Sequence, residues 1–278
     1  MVGLTASSTE LFGPAFWEIA RTELAPKSLL KHIDVVGPDA YCSGPYEITK
    51  FNLDSCVPET SPLRQALLAT GELQAALGNG RSEIRISEFG YMIPYHYREP
   101  DNEVTKRVAA LLARCLVLAK TVPGFSDLSL YAASGSAAYD ERHGGLVSTD
   151  LNPVWDCGLW RIDYDEDGIP HCSPRPWVAA VATINRFLAD TTNPIELPLG
   201  TPSCYGWTFK KGAETVTILW TSSKRPHRIT MEMSESIKYD LMGNPETLGA
   251  GSHALELRES PIFIVSGIAL NTNTETQK

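Results

Sequence analysis

Strand patterns and helix patterns alternate four times along residues 1–192 of this 278-residue chain. The four predicted strands are short apolar or alternating runs at 2–6, 33–37, 84–88 and 128–132. The four predicted helices carry apolar residues at helical spacing over 14–24, 61–77, 103–121 and 176–189. Because strands joined by helical crossovers pair in parallel, this order predicts an α/β domain over residues 1–192.

The connections in this domain are unequal in length. Long segments follow the second, third and fourth predicted strands, whereas the returns from helix to strand are short. Such asymmetry is typical of a parallel barrel whose functional loops all lie at the carboxyl ends of its strands. We therefore expect functional residues in the long segments.

Beyond residue 191 the composition changes. Three prolines occur in residues 191–202, and we interpret 193–202 as a linker. Residues 203–270 then show only strand patterns separated by turn residues, which predicts a small antiparallel β-sandwich module. The predicted strands are 205–209, 215–220, 228–233, 237–241, 254–257 and 262–265. The polar residues 271–278 are expected to be disordered.

The charge balance excludes some partners. A net charge of −9 argues against nucleic acid and anionic membrane surfaces, which select a basic face. No apolar run has the length of a membrane span, roughly 18 residues. The chain also lacks a Gly-rich phosphate loop and a G-x-S-x-G elbow, so we expect no nucleotide cofactor and no serine hydrolase chemistry.

A metal site is not expected either. Residues 163–168, D-Y-D-E-D-G, imitate the start of an EF-hand calcium loop. The twelfth position of such a loop needs Glu, whereas Pro174 stands there. We therefore interpret this segment as a solvated turn.

The six cysteines leave two possibilities open. In an exported protein, Cys42 with Cys56 and Cys157 with Cys172 would close loops of a size that disulfides stabilise. In a reducing compartment all six would be free thiols. The spacing contains no C-x-x-C and fits no zinc pattern.

The third predicted strand carries the strongest functional signal. Residues 83–91 read E-I-R-I-S-E-F-G-Y, so Ile84 and Ile86 alternate with polar residues and Glu88 falls at the strand end. A carboxylate at the carboxyl end of a barrel strand is a usual position for catalysis. The S-E-x-G motif is short, and alone it also fits a surface Glu.

The order of motifs along the chain strengthens this signal. D-x-Y follows the second strand, S-E-x-G ends the third, and G-L-W and P-R-P-W follow the fourth. Y-D-L-M-G-N and S-P-I-F-I close the β module. Over about residues 1–270, this order resembles the C-terminal half of clan A retaining glycoside hydrolases, such as families 39 and 30. The resemblance implies the second half of a (β/α)8 TIM barrel, strands five to eight, followed by the β-sandwich.

The resemblance assigns roles to residues. It makes Glu88 the catalytic nucleophile and places Tyr41 where these enzymes line the catalytic subsite with an aromatic residue. They usually carry Trp after strand eight, whereas this chain has Tyr131. The expected substrate-binding residues, which include aromatic side chains that stack on sugars, are Asp39, Tyr41, Tyr91, Tyr131, Trp155 and Trp160.

One expected residue has no counterpart. These enzymes present the acid/base Glu in an Asn-Glu pair after strand four, whereas the Asn102-Glu103 pair of this chain opens a helix and reads as its cap. We therefore expect a fragment of a glycosidase whose full-length parent is secreted or periplasmic. The alternatives are a non-catalytic carbohydrate-binding or scaffolding protein and a half-barrel that pairs with a partner chain supplying strands one to four. We also expect the chain alone to be poorly soluble or self-associated, because a half-barrel exposes edge strands.

Overall fold

The computed structural model describes residues 3–7, 35–39, 53–55, 57–60, 67–68, 72, 83–91, 93–94, 102–130, 155–156, 158–167 and 169–267. They divide between two compact units. The first consists of residues 1–98 and 118–173, and the second of residues 99–117 and 174–278. The described chain is a mixed α/β protein with many strands and few helices, so the predicted α/β class is confirmed at that level.

Eight strands are described in the first unit. They are β1 Gly3–Ser7, β2 Val35–Asp39, β3 Glu83–Phe89, β4 Ile93–Pro94, β5 Phe125–Leu130, β6 Trp155–Asp156, β7 Trp160–Tyr164 and β8 Pro170–Pro174. Short 3-10 turns occupy Leu53–Ser55 and Pro58–Thr60. The predicted strands all occur, with their ends shifted by up to three residues.

A four-stranded parallel sheet organises this unit. Its strand order is β1-β2-β3-β5, and all three pairings are parallel, as the strand–helix alternation predicts. In the register, Gly3 stands opposite Val35, and Val35 stands opposite Glu83. The carboxyl ends of the four strands therefore all lie at the same end of the sheet.

Two helices and eight strands are described in the second unit. The helices are α1 Glu103–Lys120, whose last turn falls in the first unit, and α2 Pro176–Leu188. The strands are β9 Thr192–Glu196, β10 Cys204–Lys211, β11 Glu214–Thr221, β12 His227–Met233, β13 Ser236–Tyr239, β14 Pro245–Leu248, β15 Gly251–Leu257 and β16 Ile262–Ser266. Neither of these helices is long and apolar enough to cross a membrane, and the same holds throughout the described residues.

The start of α1 confirms the interpretation of the Asn-Glu pair. The Asn102 side-chain oxygen accepts a hydrogen bond from the Val104 backbone N–H at 2.8 Å. The Thr105 hydroxyl donates to the Asn102 carbonyl at 2.7 Å. Asn102 is therefore a helix cap, and Glu103 is an exposed charge of the first turn, where it interacts favourably with the helix dipole.

Most strands of the second unit form one antiparallel sheet, with the order β14-β13-β16-β11-β10-β9. A two-stranded sheet, β12 with β15, packs on one face of it. Their shared core includes Leu219 and Ile264 from the larger sheet and Met231 and Leu255 from the smaller one.

The other face of the large sheet packs against α2. Phe187 of α2 stacks on Phe263 of β16, with ring centroids 5.2 Å apart, and contacts Tyr239 of β13 at 4.7 Å. Central strand β11 is consequently buried on both faces from Thr215 to Thr221.

The segment predicted as a linker contains a strand. Residues 192–196 form β9, which pairs with β10 at the edge of the large sheet. Pro194 is tolerated there because an edge strand has one side free of sheet hydrogen bonds. The pairing has an irregularity between Thr208 and Lys210, and Asn193, in the same segment of β9, adopts a positive φ of 52°. Proline therefore marked a sheet edge, and the linker interpretation of residues 193–196 was wrong.

The second proposed disulfide is absent. Cys172 is an exposed free thiol on β8, so it is not bonded to Cys157. Cys115 and Cys204 are buried thiols outside any disulfide. The Cys42–Cys56 pair lies outside the described residues. Of the two possibilities that the sequence left open for Cys172, the free thiol is the one that this structure contains.

Candidate active site

The candidate nucleophile lies at the carboxyl end of β3. Glu88 is the penultimate residue of that strand, one position before Phe89. The hydrophobic residues of β3 are fully buried: Ile84, Ile86 and Phe89 have between 0% and 1% exposure. The backbone of Glu88 is thus held by a strand that is well packed, while its side chain lies outside the described part of the chain.

A β-bulge falls at this position. Ile86 pairs with Leu128 of β5 and Phe89 pairs with Leu130, so Ser87 and Glu88 together stand opposite the single residue Ser129. Since paired residues share a face of the sheet, Ile86 and Phe89 lie on the same face although they are three residues apart. The strict alternation that the sequence suggested is therefore interrupted between these two residues. Bulges are over-represented next to active sites, where they redirect side chains.

Arg85 does not belong to this strand end. Its guanidinium forms a salt bridge with Glu83 at the start of β3, with Nε and Nη2 at 3.0 and 2.6 Å from Oε2. Both side chains are substantially exposed. The hydroxyl of Ser126 is 3.4 Å from the same carboxylate oxygen. Arg85 therefore pairs at the start of β3 and not at its carboxyl end.

Tyr91 lies two residues beyond the end of β3 and is buried. Only 6% of its surface is exposed, and its ring meets Phe89 edge-on, with centroids 5.7 Å apart and an interplanar angle of 84°. This geometry is favourable for an aromatic pair. In this structure Tyr91 therefore packs against the strand end that carries Glu88.

The neighbouring strand ends hold two other candidates. Asp39 is the last residue of β2, which pairs with β3 in parallel. Tyr131 immediately follows Leu130, the last residue of β5. Tyr131 and Tyr41 lie outside the described residues, as does the side chain of Asp39. The backbone thus places Asp39, Glu88 and the start of the Tyr131 segment at the carboxyl-terminal end of the parallel sheet.

Two segments that follow the carboxyl ends of these strands pair with one another. Strand β4, which begins four residues after Phe89, is antiparallel to β6, with Pro94 opposite Trp155 and Ile93 opposite Asp156. This contact joins the segment after β3 to the one after β5. It brings Trp155 close in space to the segment that follows Glu88, a proximity that no local pattern in the sequence indicated.

Trp160 is the exposed aromatic residue of this group. It begins β7, which pairs with β8 in a two-stranded sheet, and 39% of its surface is accessible. An exposed indole can stack on the apolar face of a sugar ring. Among the aromatic candidates whose side chains are described, Trp160 is therefore the one available to a ligand.

The acidic turn between β7 and β8 is closed by its own hydrogen bonds. The Asp165 carboxylate accepts from the backbone N–H groups of Asp167 and Ile169 at 3.0 and 2.8 Å and lies 3.0 Å from His171 Nε2. The hydrogen bond with His171, followed by the one from Ile169, lowers the pKa of Asp165. Within the described residues no group of three His, Cys, Asp or Glu side chains has the geometry of a metal site.

Sequence reasoning missed two features of this region, the bulge and the β4–β6 pairing. One local signal accompanies the bulge: the apolar spacing in I-R-I-S-E-F changes from two residues to three before Phe89. The β4–β6 pairing joins residues about 60 positions apart, and such contacts have no local signature.

The arrangement belongs to the glycosidase-like folds, and solved structures of glycoside hydrolases are similar to it. A family 39 glycoside hydrolase from the gut symbiont Bacteroides cellulosilyticus WH2 matches with a TM-score of 0.56 and 17% identity, over 91% of this chain and 47% of that one. The family 30 subfamily 8 xylanase Xyn30A from Clostridium acetobutylicum matches with a TM-score of 0.50 and 11% identity, over 94% and 55%. At these identities the matches show a shared fold.

A conserved exported protein from Bacteroides fragilis is also similar, with a TM-score of 0.50 and 14% identity over 84% of this chain and 46% of that one. The chain thus spans about half the length of these structures. No family model matches the sequence. No curated protein matches it either.

Proposed function

We propose that this chain provides the nucleophile-bearing half of a retaining glycoside hydrolase that acts on a poly- or oligosaccharide. Residues 1–192 would correspond to strands five to eight of a (β/α)8 barrel, and β9 to β16 to the β-sandwich that follows it. The observation that carries the proposal is the position of Glu88, at the bulged carboxyl end of a central parallel strand in a glycosidase-like fold.

In the first step, a carboxylate oxygen of Glu88 attacks the anomeric carbon while the bond from that carbon to the leaving oxygen breaks. The leaving oxygen takes a proton from a second carboxylic acid, about 5 Å from the first in retaining enzymes. Water then hydrolyses the glycosyl ester and regenerates Glu88. The described strand ends offer Asp39 besides Glu88, and we assign the acid/base role to the complementary half of the barrel.

The remaining candidates would bind the sugar. Trp160 would stack on a ring in a subsite away from the cleavage point, since it belongs to the β7–β8 pair rather than to the parallel sheet. Trp155 would contribute nearer to Glu88 because its strand pairs with Pro94. Asp39, Tyr41 and Tyr131 would line the catalytic subsite.

The experiment is covalent trapping. Dinitrophenyl 2-deoxy-2-fluoroglycosides carry an activated leaving group, so attack needs little help from an acid, and the fluorine slows hydrolysis of the ester. The chain is incubated with a panel of these sugars and analysed by intact and peptide mass spectrometry. We expect one fluoroglycosyl group on Glu88.

Two variants make this test specific. Glu88→Gln should abolish labelling, whereas Glu72→Gln, which changes an exposed helical Glu, should label as the unchanged chain does. Labelling of another carboxylate, or equal labelling of the Glu88→Gln variant, would contradict the assignment.

A non-catalytic carbohydrate-binding protein is the second candidate. The exposed indole of Trp160 favours it, because stacking on sugar needs no acid/base pair. In that case the chain would bind oligosaccharides in calorimetry with the same affinity before and after Glu88→Gln and would not label with any fluorosugar. Labelling at Glu88 would exclude this candidate.

A further inference from the structure

We infer that the isolated chain pairs with a second copy of itself, through the edge strands β5 and β1, to close an eight-stranded parallel barrel. The inference rests on the proposed function, because it takes the parallel sheet as half of a barrel. It adds that a second copy covers the edge strands β1 and β5 when the chain is alone.

The sheet ends in two strands with a single neighbour each. Among the described strands, β1 pairs only with β2, and β5 pairs only with β3. Parallel sheets occur almost entirely with both faces covered and with their strands well buried. On β5, by contrast, Ser126, Asp127 and Ser129 are exposed, and Phe125, Leu128 and Leu130 are partly accessible. This pattern is unusual for a strand of a finished parallel sheet.

The edge strands of the parallel sheet and of the large antiparallel sheet differ in composition. Both edge strands of the large antiparallel sheet contain proline, Pro194 in β9 and Pro245 at the start of β14. Proline on an edge hinders pairing with another strand. The edges of the parallel sheet, G-L-T-A-S and F-S-D-L-S-L, contain no proline and no lysine. Asp127 of β5 is an exposed charge, and neither strand contains the proline found on both edges of the antiparallel sheet.

A second copy fits these edges by symmetry and by number. All four strands run in the same direction, so a two-fold axis along the barrel places β5 of each copy beside β1 of the other with parallel polarity. Two sheets of four strands give eight, the number at which a parallel barrel closes around a core filled by side chains. The closed pair would leave none of the four edges open.

The first measurement is the mass in solution by analytical ultracentrifugation over a wide concentration range. We expect a concentration-dependent equilibrium between the chain and a species of twice its mass. A monomer at all concentrations would overturn the inference. Open-ended higher species would overturn it as well, because a closed two-fold pair cannot grow.

The second measurement is hydrogen exchange at low and high concentration. Pairing should slow exchange of the amides of residues 125–130 and 3–7 as the dimer forms. A dimer whose formation leaves these amides unchanged would place the interface elsewhere and contradict the inference.

A variant of β5 tests the edge directly. Ser129→Lys adds an ammonium at an exposed position of the open sheet, whereas closure would bury it. We expect dimerisation at least about tenfold weaker. Ser252→Lys, the same change at an exposed position of β15, and the conservative Ser129→Thr should dimerise as the unchanged chain does. Near-UV circular dichroism checks that each variant folds. A folded Ser129→Lys variant with unchanged dimerisation would count against the pairing.

The two proposals fail in different ways. A dimer that closes through β5 but never labels with a fluorosugar would overturn the glycosidase assignment and leave the pairing intact. A monomer that labels at Glu88 would overturn the pairing and leave the glycosidase assignment intact.

Discussion

Arg107 of α1 and Glu259, which precedes β16, form a salt bridge across 152 positions of sequence. The Arg107 Nε and Nη2 atoms lie 3.3 and 3.0 Å from Glu259 Oε1. Arg114 is fully buried and lies about two turns further along the same face of α1, with its Nη1 3.9 Å from the same oxygen. Glu259 therefore interacts with two guanidinium groups of the helix that follows the Glu88 strand, and links this helix to the β module.

Removing that charge should weaken the fold. We expect Glu259→Gln to lower the free energy of unfolding by about 1–3 kcal/mol, because a partly buried charged hydrogen bond is lost beside a buried guanidinium. Glu256→Gln is the matched control. It breaks the exposed 2.5 Å pair with Arg258 and should cost at most about 1 kcal/mol. Urea unfolding followed by tryptophan fluorescence measures both, and equal losses would contradict this account.

Gly206 marks a close approach in the core of the β module. A Cβ at this position would stand 2.9 Å from Leu219 Cδ2 and 3.2 Å from both Leu197 Cβ and Leu199 Cδ1. Gly206→Ala should therefore destabilise the chain by about 1–3 kcal/mol through overpacking. Gly249→Ala, where a Cβ would have no neighbour within 4 Å, should change stability little. Thermal unfolding of the two variants gives the comparison, and an unaffected Gly206→Ala variant would mean that the leucines readily make room.

The described cysteines should differ in reactivity. Burial raises the pKa of the Cys204 thiol, although hydrogen bonds with Thr221 and Ser203 oppose that effect. Because the thiolate is the nucleophile, Cys204 should alkylate slowly near pH 8 and faster as the pH rises, while exposed Cys172 reacts first. Iodoacetamide pulses with peptide mass spectrometry measure each site. Faster modification of Cys204 than of Cys172 in the folded chain would contradict the packing around β10.

The Asp165 turn should respond to acid. The pKa of Asp165 is lowered in the folded chain, so the turn is favoured above the ordinary aspartate value of about 3.9. That contribution is lost as the pH falls through the lower folded value. His171→Ala removes the largest cause of the shift, so the pH midpoint of the Asp165 transition should rise. Glu166→Gln should hardly change that midpoint. An NMR titration of the Asp167 and Ile169 amides follows the transition; an unmoved midpoint in His171→Ala would show that the backbone donors alone set it.

Trp160 should affect sugar binding without affecting the fold. Trp160→Ala removes the ring of a residue that is 39% exposed. We expect the binding free energy of an oligosaccharide to weaken by about 0.5–1.5 kcal/mol. Trp160→Phe, which keeps an aromatic face, should lose less. Calorimetric titration compares the two variants. Equal affinity for Trp160→Ala and the unchanged chain would remove this residue from the proposed subsites.

The sequence predicted those parts of the fold that depend on local periodicity. The parallel strands, the α1 cap at Asn102 and the position of Glu88 near a strand end all follow from patterns within a few residues. Glu88 was also singled out by a motif order shared with glycosidases. Periodicity gave no indication of what the strands would pair with at longer range.

The errors have a common physical origin. Pro194 was interpreted as a linker residue because proline interrupts strands, yet an edge strand such as β9 tolerates it. The β4–β6 pair and the exposed state of Cys172 depend on tertiary contacts, which composition does not encode. Burial of Tyr91 beside Phe89 likewise depends on how the chain turns after β3.

The two register shifts along the β3–β5 pair offset each other. Ile84 pairs with Phe125 and Phe89 pairs with Leu130, so the two strands advance by the same number of residues between these pairs. Between them, Arg85 and Ile86 pair one residue further along β5, with Asp127 and Leu128. The irregularity beside Glu88 is therefore local, and the carboxyl ends of β3 and β5 stay level with one another.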